Sequence, residues 1–258
     1  MEKMEADIIQ ITDGSIRINT GMRARDFAQA RLAQYLDHPG RIADSSDDGE
    51  CTPWVFDSTA EQNDIIILHG SIPAPPDAFA GKQPKTLLAV LETARESDAA
   101  FDKAVAVLEK LNTAVENAVG KGIELPVTGP AGILVLADGR FLFLPEMLFN
   151  RATGSTPDQT YSRLAGCWLN PGLDRRDGLR FTLSVFAYFL AVGALPFPLP
   201  YTERRIQDYL DHNFVPLEYA VPGINPELAK AVTANLRCEP PVTKKGGRHY
   251  GTAASKQQ

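Results

Sequence analysis

Cysteine is scarce in this chain, with three thiols in 258 residues at positions 51, 167 and 238 and no Cys-x-x-Cys pair. An odd number at wide spacing excludes a disulfide framework and a zinc cluster, and it fits a reducing compartment. Histidine is equally sparse. His38, His69, His212 and His249 never approach metal-ligand spacing, and His-Glu-x-x-His is absent. No Gly-x-Ser-x-Gly provides a nucleophile elbow, and no Gly-x-Gly-x-x-Gly opens a dinucleotide site. Gly81-Lys82 and Gly120-Lys121 lack the upstream glycine and the following hydroxyl residue that a phosphate-cradling loop needs. Basic excess is missing too: the net charge is −6, and Arg175-Arg176, Arg204-Arg205 and Lys244-Lys245 are short clusters that read as solvated surface. Nucleic acid is therefore not an expected partner. The first ten residues contain no apolar run of signal-peptide length. The one membrane candidate, 181–200, is interrupted by Gly193, Pro196, Pro198 and Pro200. Its helical part shrinks to roughly a dozen residues, too few to span a bilayer. The expectation is a cytoplasmic protein with no cofactor, no metal and no membrane partner.

What is present belongs to an ordinary globular chain, 44% hydrophobic and 22% charged. Weak alternation over 7–20 around Asp13-Gly14 predicts a small hairpin. Residues 24–36 predict a helix with Phe27, Leu32 and Tyr35 near one face, stopped by Asp37-His38-Pro39-Gly40. Residues 43–50 form an acidic loop, 54–56 and 64–70 read as strands, and the proline-rich 71–84 is the natural lobe boundary. Helices are predicted over 84–95 and 97–120. Ser97 caps the second, Phe101, Val105, Leu108, Leu111, Val115 and Val119 make its apolar stripe, and Gly120 ends it. The segment 132–145 reads as a buried hairpin whose two-residue turn, Asp138-Gly139, takes positive φ angles. A polar loop over 151–163 follows, then an apolar helix over 178–192 with Phe186, Tyr188, Leu190 and Val192 inside. Further helices begin at Thr202 and at Asn225, the latter with Pro226 at its first position. The tail from Thr243 has little to bury and is expected to be disordered.

The order of these pieces resembles the large lobe of a protein kinase. Gly122-Ile123 after the long helix, Ile133-Leu134-Val135 with Asp138-Gly139, and Tyr188…Gly193-x-x-Pro196-Phe197 follow the family's order over about 98–240. His38-Pro39 and the strand 65–68 are similar to parts of its small lobe. The resemblance implies an α+β, protein-kinase-like fold with a truncated small β-containing lobe (1–80), a mostly helical large lobe (84–242) and a disordered tail (243–258). It also implies loss of catalysis. Leu125-Pro126-Val127 stand where the family has His-Arg-Asp, so Val127 replaces the catalytic base. Gly129 replaces the catalytic-loop Lys, Gly132 the metal-binding Asn, and Pro145-Glu146-Met147 the Asp-Phe-Gly. Asn170-Pro171-Gly172 stand for Ala-Pro-Glu without its Glu, and the glycine-rich loop and ATP-contacting Lys have no room before His38.

The function implied is a non-catalytic, kinase-like protein-binding or regulatory module whose partner is another protein. The candidate contact residues are Trp168, Phe197, Leu199 and Tyr201, in and beside the proline-stiffened LPFPLPY stretch. The alternatives are an unrelated α+β protein, or a hydrolase using Glu146 with Glu124 or Asp138 as a carboxylate pair. Ser155-Thr156-Pro157 offers a phosphorylation site for an active kinase.

Overall fold

The computed structural model describes residues 8–12, 14–46, 50–73, 83–154, 166–198 and 202–238. Strands β1 (Ile9–Thr12) and β2 (Ser15–Arg23) form the first hairpin, with Gly14 at a φ of +93°. A short helix, α1 (Ala24–Gln29), and a separate 3-10 turn (Leu32–Tyr35) replace the single helix expected over 24–36. Arg31 breaks it by adopting a left-handed φ of 54°. In an unbroken helix Phe27 and Leu32 would point about 140° apart. The break lets both enter the core, where they are 5% and 1% exposed.

Four more strands follow: β3 (Gly40–Ala43), β4 (Cys51–Trp54), β5 (Ser58–Gln62) and β6 (Ile65–Ser71). Beyond the connector come β7 (Lys85–Thr86), α2 (Leu87–Thr93), α3 (Asp98–Gly120), β8 (Ile133–Val135) and β9 (Phe141–Phe143). The helices α4 (Glu146–Gly154), α5 (Arg175–Val192), α6 (Thr202–Leu210), α7 (Leu217–Ala220) and α8 (Pro226–Leu236) complete the order. The architecture is α+β, with two antiparallel sheets and eight helices among the described residues.

One sheet has the order β1-β2-β6-β5 and the other β4-β3-β9-β8-β7. The second sheet decides the domain question. Strands β3 and β4 precede the 71–84 connector and β7, β8 and β9 follow it, yet Arg41, Ile42 and Ala43 pair with Phe143, Leu142 and Phe141. Buried side chains from both segments also form one continuous cluster. The expected boundary therefore does not separate two independently packed lobes. The sheets themselves meet at Trp54, whose indole N–H donates to the Ser71 carbonyl at 2.7 Å. Gly70 admits that ring, because a Cβ there would lie 2.4 Å from Trp54 Cζ2.

The helical part follows the sequence closely. Ser97 caps α3 by accepting the Ala100 N–H, and the helix ends at Gly120 as expected, with its closing turn completed two residues on at Gly122. Gly122 takes a φ of +72°, and its N–H donates to Val119 O while Ile123 N–H donates to Ala118 O, a Schellman closure. Asp174 caps α5, Gly193 ends it at a φ of +79°, and Phe186 is 0% exposed. Tyr188 and Leu190 are buried as predicted, while Val192 is only partly covered. No helix among the described residues is long and apolar enough to cross a membrane. Asn225 caps α8 with Pro226 at its first position. The tail 243–258, Leu199, Tyr201 and the Ser155-Thr156 pair lie outside the described residues.

Candidate functional site

The hairpin β8–β9 carries the positions that matter most to the resemblance. Its connection is a three-residue turn, Ala137-Asp138-Gly139, closed by Leu136 N–H donating to Arg140 O at 2.8 Å. Gly139 takes the left-handed φ of +90°, and Asp138 does not. The two-residue turn with two positive φ angles is thereby corrected to the longer type. Asp138 accepts from the Arg140 backbone at 3.0 Å and pairs with its guanidinium at 2.7 and 2.8 Å. Its carboxylate is committed to the turn.

Directly after β9 the chain enters α4, whose last turn occupies the start of the polar loop expected over 151–163. Phe149 N–H donates to Pro145 O at 2.8 Å, which starts the helix. From α4, two side chains grip the segment ahead of the hairpin: Glu146 Oε2 accepts the Val127 N–H at 3.1 Å, and Asn150 Nδ2 donates to the Val127 carbonyl at 2.9 Å. Val127 is thus pinned through its backbone on both sides. Gly132 lies inside this packing. A Cβ there would come within 2.6 Å of Thr128 Cβ and 2.8 Å of Phe149 Cε1. The hydroxyl of Thr128 and the carbonyl oxygen of the Asn150 side chain are buried and have no hydrogen-bond partner among the described residues.

The two carboxylates of the hydrolase alternative do come together, but around a cation. Arg175, at the start of α5, pairs with Glu124 at 2.5 Å and with Glu146 at 3.5 Å. Asp138 belongs to its own turn instead. Among the described residues no cluster of three or more His, Cys, Asp or Glu is arranged to hold a metal ion. Desolvation pushes the thiols of Cys51 and Cys238 up, away from the thiolate that a nucleophile requires.

The expected protein-contact residues fare differently. Trp168 is 3% exposed and packs edge-on against Phe189 at 5.0 Å and against Phe186 at 5.8 Å. Phe197 is 2% exposed, 4.7 Å from the Tyr209 ring and 5.3 Å from that of Phe214. Both are core anchors that seat α6 and the chain around it on α5, so neither presents an apolar surface. Large aromatic rings bury so much area that packing claims them first.

Other surfaces remain open. A groove of about 550 Å³ runs between α3, α5 and α8, walled by Val119, Leu179, Leu183 and Leu228 with Arg176 and Arg180 along it. A second hollow of about 300 Å³ continues it past Arg176 toward Glu124. Separately, α6 exposes Ile206 and Leu210, by 40% and 69%. The signal for α6 was present in ERRIQDYL, where Ile206, Tyr209 and Leu210 fall at i, i+3 and i+4 on one side of the helix. The groove depends on how three helices meet and has no local signature. Comparison with models of protein families finds no match, and comparison with curated proteins finds none either.

Proposed function

We propose that this chain is a kinase-like protein without catalytic activity that acts by binding another protein. The observation that supports this reading most is the closure of the segment 125–150. Where phosphoryl transfer needs a proton acceptor and a metal-binding amide, Val127 is held by its backbone between Glu146 and Asn150, and Gly132 has no space for any side chain. The hydrolase reading is weaker, because Arg175 occupies the position between Glu124 and Glu146 and Glu146 also holds the Val127 amide.

Two measurements test the proposal. Ligand binding to a folded state raises its melting temperature by mass action. Millimolar magnesium-ATP should therefore leave the melting temperature of the purified chain unchanged, and a clear upward shift would remove the non-catalytic half of the reading. Affinity capture followed by mass spectrometry should return a partner in stoichiometric amount, and repeated recovery of the chain alone would remove the binding half.

A further inference from the structure

Two surfaces left open by the fold carry matching patterns. On α6, Glu203, Ile206 and Leu210 stand at i, i+3 and i+7 and share a face. All three are exposed, so the face presents a carboxylate and then two aliphatic side chains. Along α5 the groove shows the same order with the opposite charge: Arg176 and Arg180 first, then Leu183 and Ala187. Helix α8 runs antiparallel beside it, as the 3.0 Å bond from Asn235 Nδ2 to Ser184 Oγ and the closeness of Cys238 to Asp177 require. Leu228, 48% exposed, therefore lies at the end away from Arg176.

The charges at the basic end are only weakly compensated. Arg176 takes no hydrogen bond or ion pair among the described residues, and Arg180 reaches only Asp177, at 3.5 Å. Both sit in the first turns of α5, where the helix dipole is also positive. The lengths agree as well. Arg176 to Ala187 spans roughly 16 Å of helix and Glu203 to Leu210 about 10 Å, so the shorter stripe fits within the longer groove.

We propose that the groove receives helix α6 of a second copy of this chain, with Glu203 against Arg176 and Leu210 against Leu183. Arg204, exposed beside Glu203, then meets Glu116 on the α3 wall of the groove. Burial of the aliphatic side chains drives the contact and the charges set its direction, since exposed ion pairs alone add little. The two patches are different surfaces, so the contact is heterologous. It builds chains of copies unless its rotation closes them into a ring or pair. This inference does not depend on the kinase-like reading.

Sedimentation equilibrium of the purified chain tests it. The average mass should rise with concentration above that of one chain. Arg176→Glu and Glu203→Arg should each weaken association about tenfold, a change equivalent to ~1.4 kcal/mol. Both residues are exposed, and unchanged melting curves by circular dichroism verify that the variants fold. Mixing the two variants sets the two reversed charges opposite one another only between unlike chains, and it should restore association to the level of the parent. A chain carrying both substitutions should behave as the mixture does. A one-chain mass at every concentration overturns the proposal, and so does a mixture that associates no better than either variant alone.

Discussion

Single atoms decide what the pocket behind the β8–β9 hairpin can contain. At Gly132 even a methyl group meets Thr128 and Phe149 within 3 Å, so Gly132→Ala should cost about 1–3 kcal/mol, the range for overpacking a filled interior. Chemical denaturation reads this as a lower midpoint with unchanged slope, and an unaltered midpoint would mean that the site yields easily. Phe186 lies at the opposite extreme, fully enclosed beside Trp168. Its replacement by Ala should cost about 3–5 kcal/mol in the same experiment. Tyr209 adds a pH dependence. Burial pushes its hydroxyl from 10 up to about 12, and its O–H donates to the Leu169 carbonyl at 2.9 Å. The folded state thus favours the neutral phenol. Its contribution is complete below pH 10 and disappears as pH rises to about 12, a loss of roughly 2–3 kcal/mol. Melting temperatures of the parent and Tyr209→Phe should run parallel up to pH 10 and converge above it.

Individual helices and strands differ in how far the sequence reveals them. Helices α3 and α8 were legible because each carries a side-chain cap, at Ser97 or Asn225, and α5 was legible from its apolar run, although it starts at Arg175 behind its Asp174 cap and not at 178. The end of α3 falls at Gly120 as the sequence indicates, while the left-handed closing residue is Gly122. Gly120 and Gly122 are equivalent by composition, and only the backbone bonds from Gly122 and Ile123 distinguish them. Gly122→Ala should therefore cost about 1 kcal/mol or more while Gly120→Ala, at a helical position in open space, should be neutral or stabilising. Equal effects in thermal melts would contradict the assignment. Strand β5 escaped because all five of its residues, STAEQ, are exposed and only Ala60 among them is apolar. Its turn was the available clue: Asn63 and Asp64 both adopt positive φ, 53° and 65°, as a two-residue hairpin connection demands. Strand β3 is short and is recognisable only through its partners. Of the site, the sequence disclosed only which residues stand at 127, 129 and 132. It could not disclose the grip of Glu146 and Asn150, because a tertiary hydrogen bond leaves no local pattern. It also misjudged Trp168 and Phe197, since an aromatic beside prolines reads the same whether it faces solvent or core.

The whole molecule should unfold as one unit, since one sheet and one core draw on both sides of the connector. The chain provides its own reporters: Trp54 joins the two sheets and Trp168 packs against α5. Single-tryptophan variants, Trp54→Phe and Trp168→Phe, should each show a fluorescence transition that coincides with loss of circular dichroism. Separate midpoints within one variant would reveal independent parts.

The pairing of β3 with β9 also governs how the chain is born. Arg41 finds its partner only at Phe143, about a hundred residues later in synthesis. Until then a nascent chain that has completed β1 through β6 holds β3 with one bare edge, open to any other strand in its surroundings. Such distant pairing slows folding as well, because the loop must close before the contact rewards it. A ribosome-bound chain stopped short of residue 141 should thus remain sensitive to protease around residues 40–43, and one extended past the end of α5 should not. The same dependence means that a backbone cut within 74–82 would leave the two pieces held together by their shared sheet, while neither piece made alone would be expected to stay in solution.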